Sequence, residues 1–522
     1  MQIAAILLIA ATLRLQYITQ PLVDAFSWRQ ASTAMIADNF YRTNWNIFFP
    51  EVNWTGPGPS YQGREFQTVT YIAALLYLPA GQHDWIGRGV AIAFGLWGTF
   101  ALYQLVRLVW DEQRALITAA VMALLPGSIF IERSFLPDPA MVALVVTSFW
   151  MLVLYLQTDR LRYLFLAAAI GSWGFLTKIP GLIIGLPMIY ATLVILRGRG
   201  MLHPKRLIIM GSVALFALVP VITYYLWAKQ LASSYPPHHF AGDGNWLWNA
   251  GIARWWDQKY FLPLLKQRFY GWLWTPPVIA LVLGGLCFPP RVQADTQIES
   301  SQRSSVNDTT KAPWLFHWWL LGGLVFYLIG AKELVDNPWN FHIINPAAAA
   351  LAGHAIVSIG YLMTRMVRVN YSVITTTALL LIIFIFGQQG LQYMYTPYAY
   401  ESHQLGLALR EVSQPDDLVV TMANDLGDPV AIYYSGRRGW VFPPASPESS
   451  WHQLPESDNE AILLFEELRA SGADWLGVVS EQQTYIRQYH PDFVDYIDRV
   501  CETKIETSKY VVCRIMPVQN TR

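Results

Sequence analysis

The stretch PLVDAFSWRQ, residues 21–30, follows the first apolar segment and brings an acid and a base close together, at Asp24 and Arg29. Ionisable groups are costly inside a bilayer, so an acid, a tryptophan (Trp28) and a base where the chain leaves it indicate a functional site. The run is a loop among roughly eleven long hydrophobic segments. It therefore predicts a membrane protein with chemistry at the membrane surface.

The composition supports this prediction. Of the 522 residues, 54% are hydrophobic and 14% are charged, with 22 tryptophans and a mean hydropathy of +0.29. Soluble domains have about a quarter of their residues charged. The formal net charge is zero and the basic residues are spread among short loops, so nucleic acid is not an expected partner.

Eleven stretches are long and apolar enough to cross a bilayer. They lie at about residues 3–19, 87–109, 114–131, 139–157, 161–177, 179–196, 207–228, 272–288, 314–331, 342–363 and 371–390. Basic residues concentrate in alternate loops, as at Arg197–Arg206 and Arg365–Arg368, and the positive-inside rule assigns these loops to the cytoplasm. We therefore expect a multi-pass protein of the cell inner (plasma) membrane with a cytoplasmic N-terminus.

With this topology, three large segments face outward: 20–86, 229–271 and 391–522. The first contains a run of helical periodicity from Trp28 to Arg42, which predicts an amphipathic helix lying in the membrane interface. The second is dense in tryptophan, as in an interfacial belt.

The sequence thus divides into a transmembrane domain, 1–390, and a small soluble α/β domain, 391–522. In the second domain, short β-branched and aromatic runs alternate with helical stretches. Cys501 and Cys513 would match across a hairpin, and a disulfide is plausible if this domain lies outside the cytoplasm.

Six ionisable residues are expected at the outward face of the membrane. Each alone is at least as well explained by a side chain that reaches from a helix end to the headgroups. Taken together, the cations suit a phosphate, and two separated carboxylates suit a general base or a divalent ion. The six are Arg14, Asp24, Arg88, Asp138, Lys178 and His342.

Several short motifs follow one another over roughly residues 10–350. They are LRL (13–15), DAFSWRQASTAMIADNFY (24–41), GPSYQGREFQ (58–67), GRGV (87–90), LPDPAM (136–141), LTKIPG (176–181) and HIINP (342–346). In order and topology they resemble the glycosyltransferase C superfamily, in particular bacterial relatives of dolichyl-phosphate-mannose protein mannosyltransferases and of lipid A aminoarabinose transferases.

This resemblance implies a polytopic α-helical membrane protein of that superfamily's type, with about 11 transmembrane helices and a small extracytoplasmic α/β domain. It also implies an integral-membrane glycosyltransferase with a polyprenyl-phosphate-linked sugar as donor and transfer on the non-cytoplasmic face. The key acid is the one in the first outward loop, the position of Asp24. The chain departs from the pattern in having Ala25 where a second acid often stands, and HIINPAAAAL is less aromatic than usual.

A polyprenyl phosphate leaves with negative charge on its oxygens, so fixed cations stabilise the transition state. The candidate phosphate ligands are Lys178, Arg88, Arg29 and His342. Asp24 is the expected catalytic base, with inversion at the anomeric carbon.

Asp138 and Glu65 are expected to orient the acceptor or to hold a divalent metal ion. The sequence has no glycine-rich nucleotide loop, so no nucleotide cofactor is expected. The acceptor is a lipid, a glycan or a protein.

Two other function classes remain open. A transporter or flippase for a polyprenyl-linked glycan would carry its charges through the bilayer midplane, often in an internal repeat; no repeat is visible, and the charges cluster at one face. A membrane-anchored binding or assembly protein would make the loop charges structural.

Overall fold

The computed structural model describes residues 1–240, 255–256, 259, 261–288, 311–367, 371–445 and 453–517. The chain forms two compact units, each assembled from separate stretches of sequence. Unit 1 comprises Met1–Ile18, Arg88–Tyr224 and Asp243–Met394, and unit 2 comprises Thr19–Gly87, Tyr225–Gly242 and Tyr395–Arg522.

Unit 1 consists of apolar helices, because a helix satisfies its own backbone polar groups where lipid offers no partner. Its bent and irregular segments are a π-helical stretch at Gln267–Leu273 and 3-10 stretches at Ile179–Ile184 and Pro338–Ile344. The helices wholly or mostly in this unit are α1 Gln2–Arg14, α4 Asp84–Val109, α5 Glu112–Leu124, α6 Pro126–Arg133, α7 Asp138–Thr158, α8 Leu161–Thr177, α9 Gly185–Gly198, α10 Pro204–Ser234, α11 Phe261–Lys266, α12 Thr275–Cys287, α13 Leu315–Ile329, α14 Ala331–Asp336, α15 Asn345–Val367 and α16 Ser372–Tyr395.

Within the part of the chain that the structure describes, six helices are long and apolar enough to cross a membrane, or eight if each of two bent pairs is one span. The bends are 64° between α5 and α6 and 93° between Phe261–Leu273 and α12. The protein is therefore a multi-pass membrane protein. The segments predicted at 3–19, 161–177 and 314–331 are helices shorter than 18 residues, so length alone does not establish the predicted count of eleven.

Unit 2 contains a six-stranded sheet with strand order β1-β3-β2-β4-β6-β5. The central strands β3, β2 and β4 are parallel, and the outer strands β1, β6 and β5 pair antiparallel. The strands are β1 Thr55–Gly56, β2 Leu418–Met422, β3 Arg438–Val441, β4 Ala473–Val479, β5 Cys501–Glu506 and β6 Tyr510–Ile515. Because β1 comes from the first loop, this loop and the C-terminal segment share one sheet.

The helices of unit 2 pack against this sheet and against one another. They are α2 Ser27–Arg42, α3 Thr68–Ala80, α17 Tyr400–Val412, α18 Val430–Ser435, α19 Asp458–Ala470, α20 Ser480–Tyr489 and α21 Pro491–Val500. One core cluster joins Met35 and Phe40 of α2 to Leu405, Val419 and Ile432 of the C-terminal segment.

The helix predicted from Trp28 to Arg42 is present as α2, but its expected place in the membrane interface is wrong. Ser27 and every residue from Arg29 to Phe40 are buried. The reason is that α3 and α18 both pack against α2, and a one-dimensional apolar stripe does not show how many partners a helix has.

Cys501 and Cys513 form a disulfide between β5 and β6, with a Cα to Cα distance of 5.6 Å. The third cysteine, Cys287, is free and exposed.

Gly439 lies in β3, between the neighbouring strands β1 and β2. Its amide donates to Asn53 O over 2.9 Å, and its Cα is paired with Val419 of β2 and with Gly56 of β1. A Cβ built on Gly439 would lie 1.8 Å from Val419 O. Only glycine therefore allows β3 to pair this closely with β2.

Asp428 follows β2 and is buried. Its Oδ1 accepts a hydrogen bond from Val430 N over 2.8 Å at the start of α18, and no described residue donates to its Oδ2. Burial raises the pKa of Asp428 to about 7, with a smaller contribution from Asp425.

We predict that Gly439→Ala destabilises unit 2 by about 3 kcal/mol or more, because the backbone oxygen of Val419 cannot move without breaking strand pairing. The matched control is Gly58→Ala, since no heavy atom lies within 4 Å of a Cβ built on Gly58. Thermal unfolding followed by limited proteolysis measures both. Equal stability of the two variants would contradict this account of the sheet.

We also predict that the raised pKa of Asp428 makes the folded protein less stable as the pH rises from about 4 to about 7. The native state retains a proton that the unfolded state has lost, so the free energy of unfolding falls over this window by up to about 4 kcal/mol. Asp428→Asn should flatten this dependence, whereas substitution of the exposed Asp416 by Asn should not. Chemical denaturation at pH 5 and pH 8 tests the difference, and an unchanged slope in Asp428→Asn would rule it out.

Candidate functional site

Asp24 occupies the turn that precedes α2 and is fully buried. Its Oδ1 accepts a hydrogen bond from Gln30 Nε2 over 2.6 Å, and its carbonyl accepts from Ser27 N over 3.0 Å. Between them Phe26 adopts a left-handed conformation, φ 61°, directly before the helix. The acid is therefore held in one orientation by the first turns of α2.

Arg29 and Glu65, both predicted as site residues, form a buried ion pair through Nη2 and Oε1. His239 lies close to this pair, since desolvation and the Arg29 charge lower the pKa of His239 while Glu65 partly offsets them. Its segment joins the first loop through a hydrogen bond from Gly63 N to His239 O of 3.1 Å. Sequence reasoning missed His239; the only signal was the pair HH in a polar loop.

Asp38 is a second buried acid of unit 2 that sequence reasoning missed. Its Oδ2 accepts a hydrogen bond from Gln82 Nε2. The side-chain carbonyl of Gln82 in turn accepts a hydrogen bond from Arg42 Nε. Burial raises the pKa of Asp38 well above its ordinary value, against the attraction of Arg42. Asp38 is therefore neutral at a pH at which an exposed aspartate is ionised.

In unit 1, Lys178 and Asp138 pair as predicted site residues. Lys178 Nζ lies 2.8 Å from Asp138 Oδ1 and donates to Asn340 Oδ1 over 2.9 Å. Lys178 directly follows α8 and Asp138 begins α7, so the pair joins two helix termini. Within the described ranges nothing donates to Asp138 Oδ2, which is buried.

Arg14 and His342 lie on either side of a buried glutamate that the sequence did not single out. Arg14 Nε donates to Glu132 Oε2 over 2.6 Å, and His342 Nε2 lies 3.2 Å from Glu132 Oε1. The other ring nitrogen of His342 lies 3.1 Å from Asn345 Nδ2, and Asn345 accepts from Trp274 Nε1. His342 is thus enclosed in a polar network.

Arg88 is also fully buried, and one of its guanidinium nitrogens donates to Ile18 O over 3.2 Å. Arg133, unpredicted, donates to Gln16 O and Tyr17 O over 3.0 and 2.7 Å. Two arginines from different helices therefore fix the turn that ends α1.

The predicted residues thus fall into separate groups within each unit. Two of these groups, Arg29–Glu65 and Lys178–Asp138, join residues that were predicted singly as site residues, and their pairing was not predicted. Among the predicted cations of unit 1, the side chain of Lys178 is 13% exposed, whereas Arg14, Arg88 and His342 are each 0% exposed. Lys178 is accordingly the cation best placed to meet a ligand.

The predicted metal role does not fit the side chains present. A divalent ion needs several oxygen ligands, but Glu65 is paired with Arg29 and Asp138 with Lys178. Across the described parts of the chain, no group of three or more His, Cys, Asp and Glu residues could hold a metal ion.

Comparison with known proteins yields one family model, described as dolichyl-phosphate-mannose-protein mannosyltransferase, which matches residues 68–227. This is less than a third of the chain. It includes Arg88, Asp138 and Lys178, and it begins within the first outward segment, 44 residues after Asp24. No curated protein sequence matches the chain.

Solved structures match over nearly the whole length. ArnT from Cupriavidus metallidurans bound to undecaprenyl phosphate has 13% identity and a TM-score of 0.59, covering 98% of this chain and 97% of that chain. Archaeal oligosaccharyltransferase AglB from Archaeoglobus fulgidus, in complex with an inhibitory peptide and a dolichol-phosphate, has 12% identity and a TM-score of 0.58, covering 96% and 72%. The Archaeoglobus fulgidus oligosaccharyltransferase complex with Zn and sulfate has 12% identity and a TM-score of 0.57, covering 98% and 74%. At such identities the likeness establishes the fold, and with the family-model match it confirms the resemblance to the glycosyltransferase C superfamily.

We predict that Lys178→Met destabilises the protein by about 3 to 5 kcal/mol, because it leaves the buried Asp138 carboxylate without its cation. The double variant Lys178→Met/Asp138→Asn removes both charges and should recover most of that loss. Thermal stability in the membrane-mimetic state measures both variants. A single variant as stable as wild type would mean that the pair does not compensate a buried charge.

Proposed function

We propose that this protein is an inverting glycosyltransferase that moves a sugar from a polyprenyl-phosphate donor to an acceptor outside the cytoplasm. Support comes from the mannosyltransferase family match, from the fold shared with ArnT bound to undecaprenyl phosphate, and from the multi-pass helices. The observation that carries the proposal is the buried Asp24 carboxylate held by Gln30 in the first large loop.

In this proposal Asp24 is the general base. An acceptor hydroxyl loses its proton as the anomeric carbon gains positive character, and a carboxylate in a fixed orientation accepts that proton. The hydrogen bond from Gln30 Nε2 to Oδ1 holds the carboxylate in place during the proton transfer. Attack from the face opposite the phosphate inverts the anomeric centre.

Lys178 stabilises the leaving group. The departing polyprenyl phosphate gains negative charge, and a cation already in place stabilises it more in the transition state than in the ground state. The bonds from Lys178 to Asp138 and Asn340 set the position of Nζ before the donor arrives. Asp138 therefore acts as a positioning residue.

The remaining predicted residues act through their neighbours. Arg29 and Glu65 hold the start of α2 and the end of the first loop together, which positions Asp24. Arg88 fixes the turn after α1 through Ile18 O, and His342 acts within the Glu132 network.

The donor is a lipid and reaches the protein by diffusion in the plane of the membrane. It carries its own leaving group, so the chemistry requires no nucleotide cofactor. We place the protein in the bacterial inner membrane with its N-terminus in the cytoplasm and residues 391–522 outside. The sugar is a hexose or pentose, and the acceptor is a lipid, glycan or protein hydroxyl.

The test is Asp24→Asn in purified protein reconstituted in nanodiscs. This substitution keeps the size of the side chain and an oxygen for Gln30 but removes the base, so transfer should fall by about a hundredfold to ten-thousandfold. Binding of undecaprenyl phosphate, measured by native mass spectrometry, should persist. Labelled sugar transferred from polyprenyl phosphate to membrane acceptors measures the rate.

Asp38→Asn is the matched control, since Asp38 is a buried acid on α2, the helix that Asp24 precedes. Its transfer rate should remain within about threefold of wild type, because the amide keeps the size of the side chain and an oxygen for Gln82. Wild-type transfer by Asp24→Asn would eliminate the proposed base. An equal loss in Asp24→Asn and Asp38→Asn would indicate a folding defect instead.

A further inference from the structure

The parallel strands of unit 2 create a crevice that the proposed reaction does not use. After β2 the chain passes through α18 to β3 on one side, whereas after β4 it passes through α20 toward β6 and β5 on the other. The connections that leave the carboxyl ends of β2 and β4 therefore diverge. In open parallel sheets ligands bind at such a switch point.

An open cavity of about 430 Å³ lies at this point. Its volume is within the range of roughly 300 to 1,000 Å³ of small-molecule sites. The groups that line it come from the starts of α17 and α20, the end of β2 and the β5–β6 turn, and include Tyr398, Tyr400, Glu401, Asn424, Glu481 and Lys509.

Two aromatic rings in this groove are exposed. Tyr398 is 53% exposed and Tyr400 is 43% exposed. The Tyr398 hydroxyl donates to Asp425 Oδ1 over 2.8 Å, and Lys509 Nζ lies 4.8 Å from the Tyr400 ring centroid, so both rings are held in place. Fixed aromatic faces attract the C–H bonds on the apolar face of a pyranose ring.

Polar groups beside the rings are oriented and available. Asn424 Oδ1 accepts hydrogen bonds from Ser402 N and Ser402 Oγ over 3.0 and 2.6 Å, which fixes its carboxamide. Within the described part of the chain, Asn424 Nδ2 and the carboxylates of Glu401 and Glu481 have no hydrogen-bond or ion-pair partner. One donor and two acceptors are thus free to meet hydroxyl groups.

The charges in the groove exclude a phosphate. Glu401, Glu481 and the neighbouring Asp425 are opposed only by Lys509 among the described residues at this position. The described residues also form no cluster that could hold a metal ion. These charges therefore favour a ligand that is uncharged or carries amino groups.

We propose that this groove is a saccharide-binding site, with Tyr398 and Tyr400 as stacking platforms and Asn424, Glu401 and Glu481 as hydroxyl partners. Its assignment as the holding site for a glycan acceptor rests on the proposed glycosyl transfer. Saccharide binding itself does not. The two ideas therefore fail separately.

The test uses the full chain in nanodiscs, free of glycosidic detergent, on an array of mono- to tetrasaccharides of hexoses, hexosamines and pentoses. Wild type should bind at least one array member. Tyr398→Ala, Tyr400→Ala and Glu401→Gln should each weaken binding about tenfold. Tyr398→Phe keeps the ring but loses the hydrogen bond to Asp425, so it should bind more tightly than Tyr398→Ala and less tightly than wild type.

The control is Tyr489→Ala, whose 58% exposed ring lies on α20 outside the groove; it should bind as wild type. No binding by wild type, or binding that the three groove variants leave unchanged, would overturn the proposal. Binding of hexalysine in place of every saccharide would overturn it in favour of a cationic peptide. Asp24→Asn should bind the array as wild type does, because Asp24 lies outside the groove. Loss of transfer in this variant therefore tests the proposed reaction, and array binding tests the proposed groove.

Discussion

An ionised side chain that leaves water needs an opposite charge or several hydrogen bonds to compensate it. This constraint governs both units. Arg14 pairs with Glu132, Lys178 with Asp138, and Arg29 with Glu65. The partners are 118, 40 and 36 residues apart in sequence. Each pair therefore joins elements that the sequence separates, and the positions of the reactive groups follow from these contacts.

The placement of Asp24 depends on a second set of long-range contacts. Asp24 is held by Gln30 of α2, and α2 is buried against α3 and α18. The first loop also supplies β1 to the sheet whose other strands come from residues 418–515. The acid of the first loop is thus supported by the C-terminal segment, which gives that segment a structural role besides the proposed saccharide groove.

Hydropathy predicted a multi-pass helical protein because a spanning segment must be apolar over many consecutive residues. The predicted count of eleven is not established, since six to eight of the described helices are long and apolar enough to cross a membrane. The sequence also identified the turn at Asp24 and both members of the Lys178–Asp138 and Arg29–Glu65 pairs. It did not identify Glu132 or His239, since their neighbours are distant in sequence. For the same reason the sequence analysis placed α2 in the membrane interface. In the structure, α18 (residues 430–435) packs against α2 and helps to bury it.

The central claim is that the protein consumes a polyprenyl-phosphate sugar. The most direct measurement is the profile of polyprenyl-phosphate sugars, by mass spectrometry, in membranes of cells whose only copy carries Asp24→Asn. The account predicts that one such lipid accumulates relative to cells with the wild-type protein and returns to its former level on complementation. An unchanged lipid profile in the variant, with the protein present at wild-type abundance, would contradict the account.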